Sequence, residues 1–169
     1  MRLRPYGEAD LALTTALETD PVVMRHLGGA ARDDRAVEVH RKRLAGVAAG
    51  DWYRTIVPDG ETAPVGLVAV WRTPWEGGTI HEFGVMFRPE HQRRGLGSAA
   101  ARQLFAEVYA AGTVGRVHAF SAVGNEGAAR GCRRLGFTLS GDCDLDYEGE
   151  PLRCHHWVKE LTAADGQPG

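Results

Sequence analysis

The sequence predicts a single domain with an α/β fold, and three observations support this. The chain has 169 residues and a mass of 18.3 kDa, which suits one domain built on one hydrophobic core. Runs rich in β-branched and aromatic residues alternate with segments whose apolar residues recur at helical spacing. In the middle of the chain, an apolar strand-like run at 83–87 is followed by a glycine-containing turn and a helical run at 98–111.

The first part of the chain predicts one strand and two helices. A short strand at 2–4 precedes a helix at 8–18, which the pair Asp20-Pro21 ends. An amphipathic helix follows at 33–49. The glycine-rich segment 27–31 between the helices is predicted to be a flexible connector that shapes one wall of a substrate cleft.

The middle of the chain predicts three strands and a helix. Strands at Trp52–Val57 and 65–71 are rich in β-branched residues and form an antiparallel hairpin. A loop at 73–78 leads into a strand at 79–87. The helix at 98–111 then presents an i, i+4 apolar stripe that can pack on the sheet.

The last part of the chain predicts a strand, a helix and a closing hairpin. Gly112 or Gly115 ends the preceding helix, and a strand follows at Arg116–Ala122. A second helical segment lies within 125–137. The remaining predictions are strands at 138–145 and 152–161, a turn at 146–151, and a disordered tail at 162–169 after a single domain covering 1–161.

Composition and charge argue against several classes of protein. A net charge of −2 argues against general nucleic-acid binding. Three cysteines, an odd number without a C-x-x-C pair, fit a reducing compartment better than a disulfide framework. No apolar run has the length of a transmembrane helix, and the N-terminal residues lack the apolar region of a signal peptide. We therefore expect a cytoplasmic protein that binds neither nucleic acid nor membrane.

The segment Gln92-Arg93-Arg94-Gly95-Leu96-Gly97 predicts an anion-binding turn. Gly95 and Gly97 let the backbone bend sharply, so that successive amide N–H groups converge on an anion. The following helix points its positive end at the same place, because its first amides lack intrahelical partners. Arg93 and Arg94 add positive charge nearby.

Two other nucleotide-binding motifs fit this segment less well. A P-loop is excluded, because the G-x-x-x-x-G-K-[ST] pattern is missing. The letters Gly95-Leu96-Gly97-Ser98-Ala99-Ala100 match the dinucleotide fingerprint G-x-G-x-x-[GA]. Its context differs, because residues 88–94 separate the glycines from the preceding strand and the next strand ends without a carboxylate.

Two longer segments resemble the hallmarks of the GNAT N-acetyltransferases. The acetyl-CoA-binding motif of that family, [QR]-x-x-G-x-[GA] after a central strand and a proline, resembles Val85-Met86-Phe87-Arg88-Pro89-Glu90-His91-Gln92-Arg93-Arg94-Gly95-Leu96-Gly97. The second hallmark, N-x-x-[AS]-x-x-x-Y-x-x-L-G-F, resembles residues 125–137, with Cys132 where many members carry tyrosine. Both chain ends, Leu3-Arg4-Pro5 and Cys154-His155-His156-Trp157, resemble the branch that contains ribosomal-protein N-acetyltransferases.

The resemblance covers nearly the whole chain and implies a fold. In the GNAT fold, a mixed, mostly antiparallel sheet of about seven strands carries four helices in the order β-α-α-β-β-β-α-β-α-β-β. The predicted elements follow that order.

The resemblance also implies acetyl-CoA as co-substrate. The pantetheine arm enters a splay between the strands 79–87 and Arg116–Ala122, and an amide near Val85 or Met86 stabilises the thioester oxygen. Asn125 contacts the arm or a water beside it, or instead caps the following helix. The implied acetyl-CoA-binding residues are Val85, Met86, Phe87, Gln92, Arg93, Arg94, Gly95, Leu96, Gly97, Ser98 and Asn125.

Two residues are candidates for proton transfer. Glu82 is the predicted general base, because partial burial in its strand raises a carboxylate pKa toward neutral pH. An ion pair across the strands, or a water relay, is the alternative. Cys132 occupies the position of the family's acidic tyrosine, and its alternative role is that of a small buried apolar side chain. His81 is expected to face the other side of the sheet, and His118 to pack within its strand.

The predicted function is transfer of an acetyl group from acetyl-CoA to a primary amine by direct attack in a ternary complex. The acceptor is a protein N-terminus or a small amine. If the acidic residues at 142–150 rim the cleft, they favour a cationic acceptor; otherwise they form a solvated turn. Trp52, Tyr53, Trp71 and Trp75 line an aromatic wall or pack in the core.

Competing functions stay open at this stage. A non-catalytic acyl-CoA sensor would keep the turn without the chemistry, and a nucleotide-binding enzyme would use the same glycines. No metal is expected, because Cys143, Cys154, His155 and His156 lack a short paired ligand spacing. The sequence leaves a homodimer open.

Overall fold

The computed structural model describes residues 1–147 and 150–167 of the chain. The strands are β1 Arg2–Pro5, β2 Trp52–Val57, β3 Gly66–Trp75, β4 Gly78–Phe87, β5 Arg116–Ala122, β6 Thr138–Tyr147 and β7 Glu150–Glu160. The α-helices are α1 Leu11–Glu18, α2 Asp33–Ala48, α3 Leu96–Ala111 and α4 Glu126–Arg134. No helix in these described ranges is long and apolar enough to cross a membrane.

The strands form one mixed sheet of seven in the order β1-β2-β3-β4-β5-β7-β6. Neighbouring strands run antiparallel, except that β4 and β5 are parallel. The parallel pair is possible because α3 connects these two strands as a crossover. The predicted fold class, strand number and element order are therefore confirmed.

Each face of the sheet carries a different helical layer. The larger core lies between the sheet and α3 and α4, and includes Val68, Phe83 and Trp157. The smaller core joins α1 and α2 to the β1–β4 half of the opposite face, through Leu13, Leu17 and other buried residues. Because α1 and α2 pack only on that half, the β5–β7 half of this face has no helix over it in the described residues.

The hairpin formed by β3 and β4 is longer than predicted. The expected loop at 73–78 is wrong, because Thr73, Pro74 and Trp75 pair with Ile80, Thr79 and Gly78. The turn consists of Glu76 and Gly77, whose φ angles of 46° and 78° are those of a tight hairpin turn. Pro74 is tolerated because β2 stops opposite Val70, so the missing N–H faces no strand.

Helix α3 begins and ends at glycines in the left-handed conformation. Gly95, with φ 78°, precedes its first residue, so α3 starts at Leu96, two residues before the predicted start. Gly112, with φ 68°, ends it, which decides between the two predicted stop positions.

The C-terminal hairpin is longer than predicted. Strands β6 and β7 extend the closing hairpin, and residues 148–149 of its predicted turn lie outside the described residues. Within the predicted tail, Asp165 accepts a hydrogen bond from Thr162 N and forms a 2.9 Å ion pair with Lys159. Residues 162–167 therefore form a turn tied to β7, and residues 168–169 lie outside the described residues.

Helices α1 and α2 are joined by a buried polar cluster. The guanidinium group of Arg43 contacts Glu18 Oε1 at 2.5 Å and Thr14 Oγ1 at 3.1 Å. Tyr6 Oη lies 2.5 Å from both Thr14 Oγ1 and His40 Nδ1. Arg43 also donates to Met86 Sδ at 3.7 Å, which connects the cluster to β4.

Removal of Arg43 is expected to destabilise the fold. Arg43→Met leaves the buried Glu18 carboxylate without its cation, and the free energy of unfolding should fall by about 3 to 5 kcal/mol in urea titrations. Arg116→Met is the matched control, because Arg116 and Glu160 form an exposed ion pair of the same 2.5 Å length. Its effect should stay within about 1 kcal/mol. Equal losses in both variants would contradict the prediction.

Candidate functional site

Strands β4 and β5 diverge, and this opening organises the site. In the described residues their pairing consists of a single register pair, Glu82 opposite His118. Beyond that pair the two strands continue to Phe87 and Ala122 without ladder pairing. The opening predicted between these strands is therefore present, with Glu82 and His118 at its apex.

The backbone of β4 presents hydrogen-bonding groups to this opening. Arg88 N donates to Val65 O at 3.0 Å, which places even-numbered residues of β4 in hydrogen bonds with β3. By alternation, the N–H and C=O groups of Phe83, Val85 and Phe87 point toward β5. Gln92 Nε2 donates to Phe87 O at 3.1 Å, whereas Val85 faces the opening where β5 has moved away. Val85 is accordingly exposed at the surface.

The predicted anion-binding turn lies at the end of β4. Residues Pro89–His91 form a short 3-10 turn, and Arg93 and Gly95 adopt left-handed backbone conformations before α3 begins. A Cβ atom on Gly97 would stand 3.5 Å from Phe87 Cε2, so the first turn of α3 lies against the end of β4. The turn and the opening are thus adjacent.

The N-terminus of α3 has the properties of an anion site. Gly95 supplies no side-chain cap, so the first amides of this 16-residue helix are not capped by a side chain. Arg93 and Arg94 are exposed beside them. In the described residues, two buried side-chain nitrogens without a hydrogen-bond partner, Arg88 Nε and His91 Nδ1, lie in the same segment. Uncapped amides and nearby guanidinium groups suit a pyrophosphate.

Asn125 caps α4. Its Oδ1 accepts a hydrogen bond from Ala128 N at 3.1 Å, so the capping role considered from the sequence is present. Asn125 follows β5 by three residues and therefore lies at the end of the strand that borders the opening.

Glu82 lies on the face of β4 that points toward α1 and α2. It is opposite Trp71 in β3, and its carboxylate accepts a 2.7 Å hydrogen bond from Thr73 Oγ1. Burial raises the pKa of Glu82, and the Thr73 hydrogen bond offsets part of that increase. The hydrogen-bond partner of the Glu82 carboxylate is thus the neutral hydroxyl of Thr73. His81 points to the opposite face, as strand alternation predicts.

Cys132 lies in the larger hydrophobic core. Its side chain is 8% exposed and belongs to the cluster that also contains Ala129 and Phe137. Burial raises the pKa of the thiol to about 11, although Arg133 lowers it. The thiol is therefore protonated at neutral pH. The structure places it on the α3–α4 side of the sheet, whereas Glu82 faces the other side.

The contacts of Phe120 and His156 with Trp75 were not predicted from the sequence. The ring of Trp75 lies 4.9 Å from that of Phe120 and 5.3 Å from that of His156, measured between centroids. His118 Nδ1 lies 2.8 Å from His156 Nε2. The sequence signal was the alternation of His118 and Phe120 in β5, which places both on one face.

The other sequence candidates lie elsewhere. Trp52 packs against the larger core, so it is not part of the same wall as Tyr53 and Trp71. Asp142 and Asp144 form ion pairs with Arg153, and Asp142 also contacts His155. Arg133 lies over the ring of Trp157 at 5.3 Å. No group of three or more possible metal ligands occurs in the part of the chain that the structure describes.

The stability of the protein should depend on the ionisation of Glu82. Because the folded-state pKa is raised, the folded protein holds this proton more tightly than the unfolded chain. Stability is therefore lost as pH rises from the ordinary carboxylate value through the folded pKa. Glu82→Gln removes this loss, so its unfolding free energy relative to wild type should increase across that window in urea titrations. Glu61→Gln, an exposed carboxylate, controls for net charge. A pH-independent difference for Glu82→Gln would contradict the prediction.

Several solved structures have a fold similar to this one. A spermidine N-acetyltransferase from Vibrio cholerae, in complex with CoA and spermine, has a TM-score of 0.76 at 16% identity over 95% of each chain. An acetyl transferase from Salmonella typhimurium that modifies the N-terminal serine of ribosomal protein L7/L12 has a TM-score of 0.75 at 16% identity, covering 95% of this chain and 94% of its own. A ribosomal-protein-alanine N-acetyltransferase from Brucella melitensis reaches 0.75 at 20% identity, covering 95% and 100%.

The family assignment rests on a match along most of the chain. A search of curated proteins gives no match. The family model described as acetyltransferase (GNAT) domain matches residues 1–138, which include the opening between β4 and β5, the turn and α4. The chain therefore belongs to the GNAT acetyltransferase family.

Proposed function

We propose that this protein transfers an acetyl group from acetyl-CoA to a primary amine, by direct attack within a ternary complex. The observation that carries the proposal is the convergence of three features. The unpaired edge of β4, the uncapped N-terminus of α3 and the half-buried carboxylate of Glu82 meet at one opening in the sheet. An acyl thioester with a pyrophosphate needs an extended groove and an anion site in this order.

The residues of β4 and the turn would hold acetyl-CoA. The backbone of Val85, Met86 and Phe87 lines the opening, and the outward-turned N–H of Val85 is the donor for the thioester oxygen. The pyrophosphate fits the segment at 92–98, where the amides of Leu96, Gly97 and Ser98 begin α3 and Gln92, Arg93, Arg94 and Gly95 form the turn. Asn125 would contact the pantetheine arm from the β5 side while it caps α4.

Glu82 is the proposed general base. Attack of the amine nitrogen on the thioester carbon forms the N–C bond and leaves a proton on nitrogen, which Glu82 accepts directly or through a water. The raised pKa of Glu82 lies closer to the pKa of the amine, which makes proton transfer to the carboxylate more effective. Collapse of the tetrahedral centre then breaks the C–S bond, and the thiolate takes up a proton.

Cys132 is the proposed contact at the leaving-group side. With a pKa of about 11 its thiol is protonated, but it is a weaker acid than an ordinary thiol with a pKa of about 8.5. Proton donation to the departing thiolate therefore runs uphill by roughly 10²-fold. We assign the thiol a packing contact, with solvent completing the protonation. The alternative function, a non-catalytic acyl-CoA sensor, is favoured by this same burial of Cys132 in place of the family's tyrosine.

The acceptor is a primary amine of either a protein N-terminus or a small molecule. The solved structures of similar fold include enzymes titled for both kinds of acceptor, spermidine and the N-terminal serine of a ribosomal protein. The three free cysteines agree with a cytoplasmic location.

Binding of acetyl-CoA is tested by thermal shift, with NAD and ATP for comparison. Acetyl-CoA should raise the melting temperature, because it binds only the folded protein. Gly95→Ala forces a side chain into a left-handed backbone, which destabilises by about 1 kcal/mol and distorts the turn. Gly50→Ala carries similar strain after α2, far from the turn. The acetyl-CoA shift should disappear in Gly95→Ala and persist in Gly50→Ala. A shift with NAD and none with acetyl-CoA would overturn the proposal.

Turnover and the roles of Glu82 and Cys132 are tested by thiol release from acetyl-CoA against a panel of amines and peptides. Glu82→Gln should lower kcat by about 10²-fold or more with little change in acetyl-CoA binding, because a general base is lost. Cys132→Ala should lower kcat less than about tenfold, because a thiol of raised pKa contributes little as an acid. Glu61→Gln is the control at an exposed site. Acetyl-CoA binding without thiol release from any amine would favour the sensor.

A further inference from the structure

The tip of the β3–β4 hairpin bends back over the open half of the sheet. The pair of Glu82 with His118 places Phe120 level with Gly84. Gly84 lies six residues after Gly78, which is roughly 20 Å along a strand, and Gly78 pairs with Trp75 at the tip. The rings of Trp75 and Phe120 are nevertheless 4.9 Å apart. The contact requires the tip to fold over the face that carries Glu82.

A second pair of aromatic rings lies on the face of the sheet that carries Glu82. The rings of Tyr53 and Trp71 stack at 6.0 Å, with an angle of 24° between their planes. Trp71 lies across Gly84, since a Cβ atom at Gly84 would be 2.9 Å from the indole ring. This glycine therefore gives the indole room to lie flat on the sheet. Tyr53, Trp71, Trp75, Phe120 and His156 form what we call the aromatic enclosure.

Aromatic side chains form the walls of the enclosure. His118 and His156 share a hydrogen bond, and burial lowers the pKa of both, so they are uncharged at neutral pH. The guanidinium of Arg116, at the far end of β5, forms an ion pair with Glu160. Glu82 lies on this face opposite His118, and Glu76 at the hairpin tip is a second carboxylate near His156.

The acidic hairpin does not contribute to the enclosure. Asp142 and Asp144 pair in register with His155 and Arg153 of β7. These odd-numbered residues of β7 share the face of Trp157, which packs in the larger core. The two carboxylates therefore face away from Glu82, and both are already in ion pairs. The condition under which these two carboxylates favoured a cationic acceptor is therefore not met.

We infer that the acceptor is a small primary amine with an aromatic body, whose amine lies at Glu82 and whose ring lies in the aromatic enclosure. This inference rests on the proposed acetyl transfer. The Glu82 carboxylate suits an ammonium group, and aromatic walls suit a flat apolar body. Trp75 closes the enclosure by contact with both β5 and β7, which favours a compact acceptor over a peptide chain.

The test measures kcat/KM for thiol release with phenethylamine, spermidine and a short peptide beginning with serine. Phenethylamine should exceed both others by at least about tenfold. Trp75→Ala should lower kcat/KM for phenethylamine by about tenfold, because it opens one wall. Tyr109→Ala is the matched control, because Tyr109 is a partly exposed aromatic residue near the end of α3. An acetyl-CoA thermal shift verifies that each variant is folded.

The outcomes separate this inference from the proposed function. Preference for spermidine or the peptide, or an unchanged rate with phenethylamine in Trp75→Ala, overturns the inference and leaves acetyl transfer supported. Thiol release with none of the amines overturns both. The wild-type ranking decides the question even if Trp75→Ala fails to fold.

Discussion

The separation of β4 from β5 is the constraint on which the rest of the site depends. A continuous ladder would satisfy the backbone groups of Val85 and leave no groove through the sheet. With one register pair, Glu82 and His118, the strands stay joined at one end and open at the other. Helix α3 crosses between these strands, so its N-terminus necessarily begins near the open end of β4. One topological feature therefore positions both the groove and the anion site.

The two faces of the sheet carry different residues of the site. The α3–α4 side is a conventional apolar core, and it holds Cys132. The opposite face carries α1 and α2, which are fixed to each other through the buried cation of Arg43 and linked to β4 through Met86. The tip of the β3–β4 hairpin bends over the half of that face without a helix and contacts Phe120 and His156. In the proposed function, acyl donor and acceptor would reach Glu82 from different directions.

Burial is the largest cause of the pKa shifts of the titratable groups of the site. Glu82 is hydrogen-bonded to a neutral hydroxyl, so desolvation dominates and keeps its proton affinity high. The same effect keeps the His118 and His156 pair neutral and the Cys132 thiol protonated. The hydrogen-bond partner of Glu82 is thus neutral, which in the proposed function is a suitable setting for receiving a proton from an amine.

The sequence by itself determined the fold class, the family and the position of the turn between β4 and α3. These depend on local signals: strand and helix periodicity, the glycines at 95 and 97, and two motifs read along the chain. It misjudged the loop at 73–78, because Pro74 signals a break unless the neighbouring strand is known to stop earlier. Only the tertiary structure decided that this hairpin folds over Glu82 and that Asp142 faces away. Contacts between residues distant in sequence, such as Trp75 with Phe120, arise from sheet curvature and register, which no local pattern encodes.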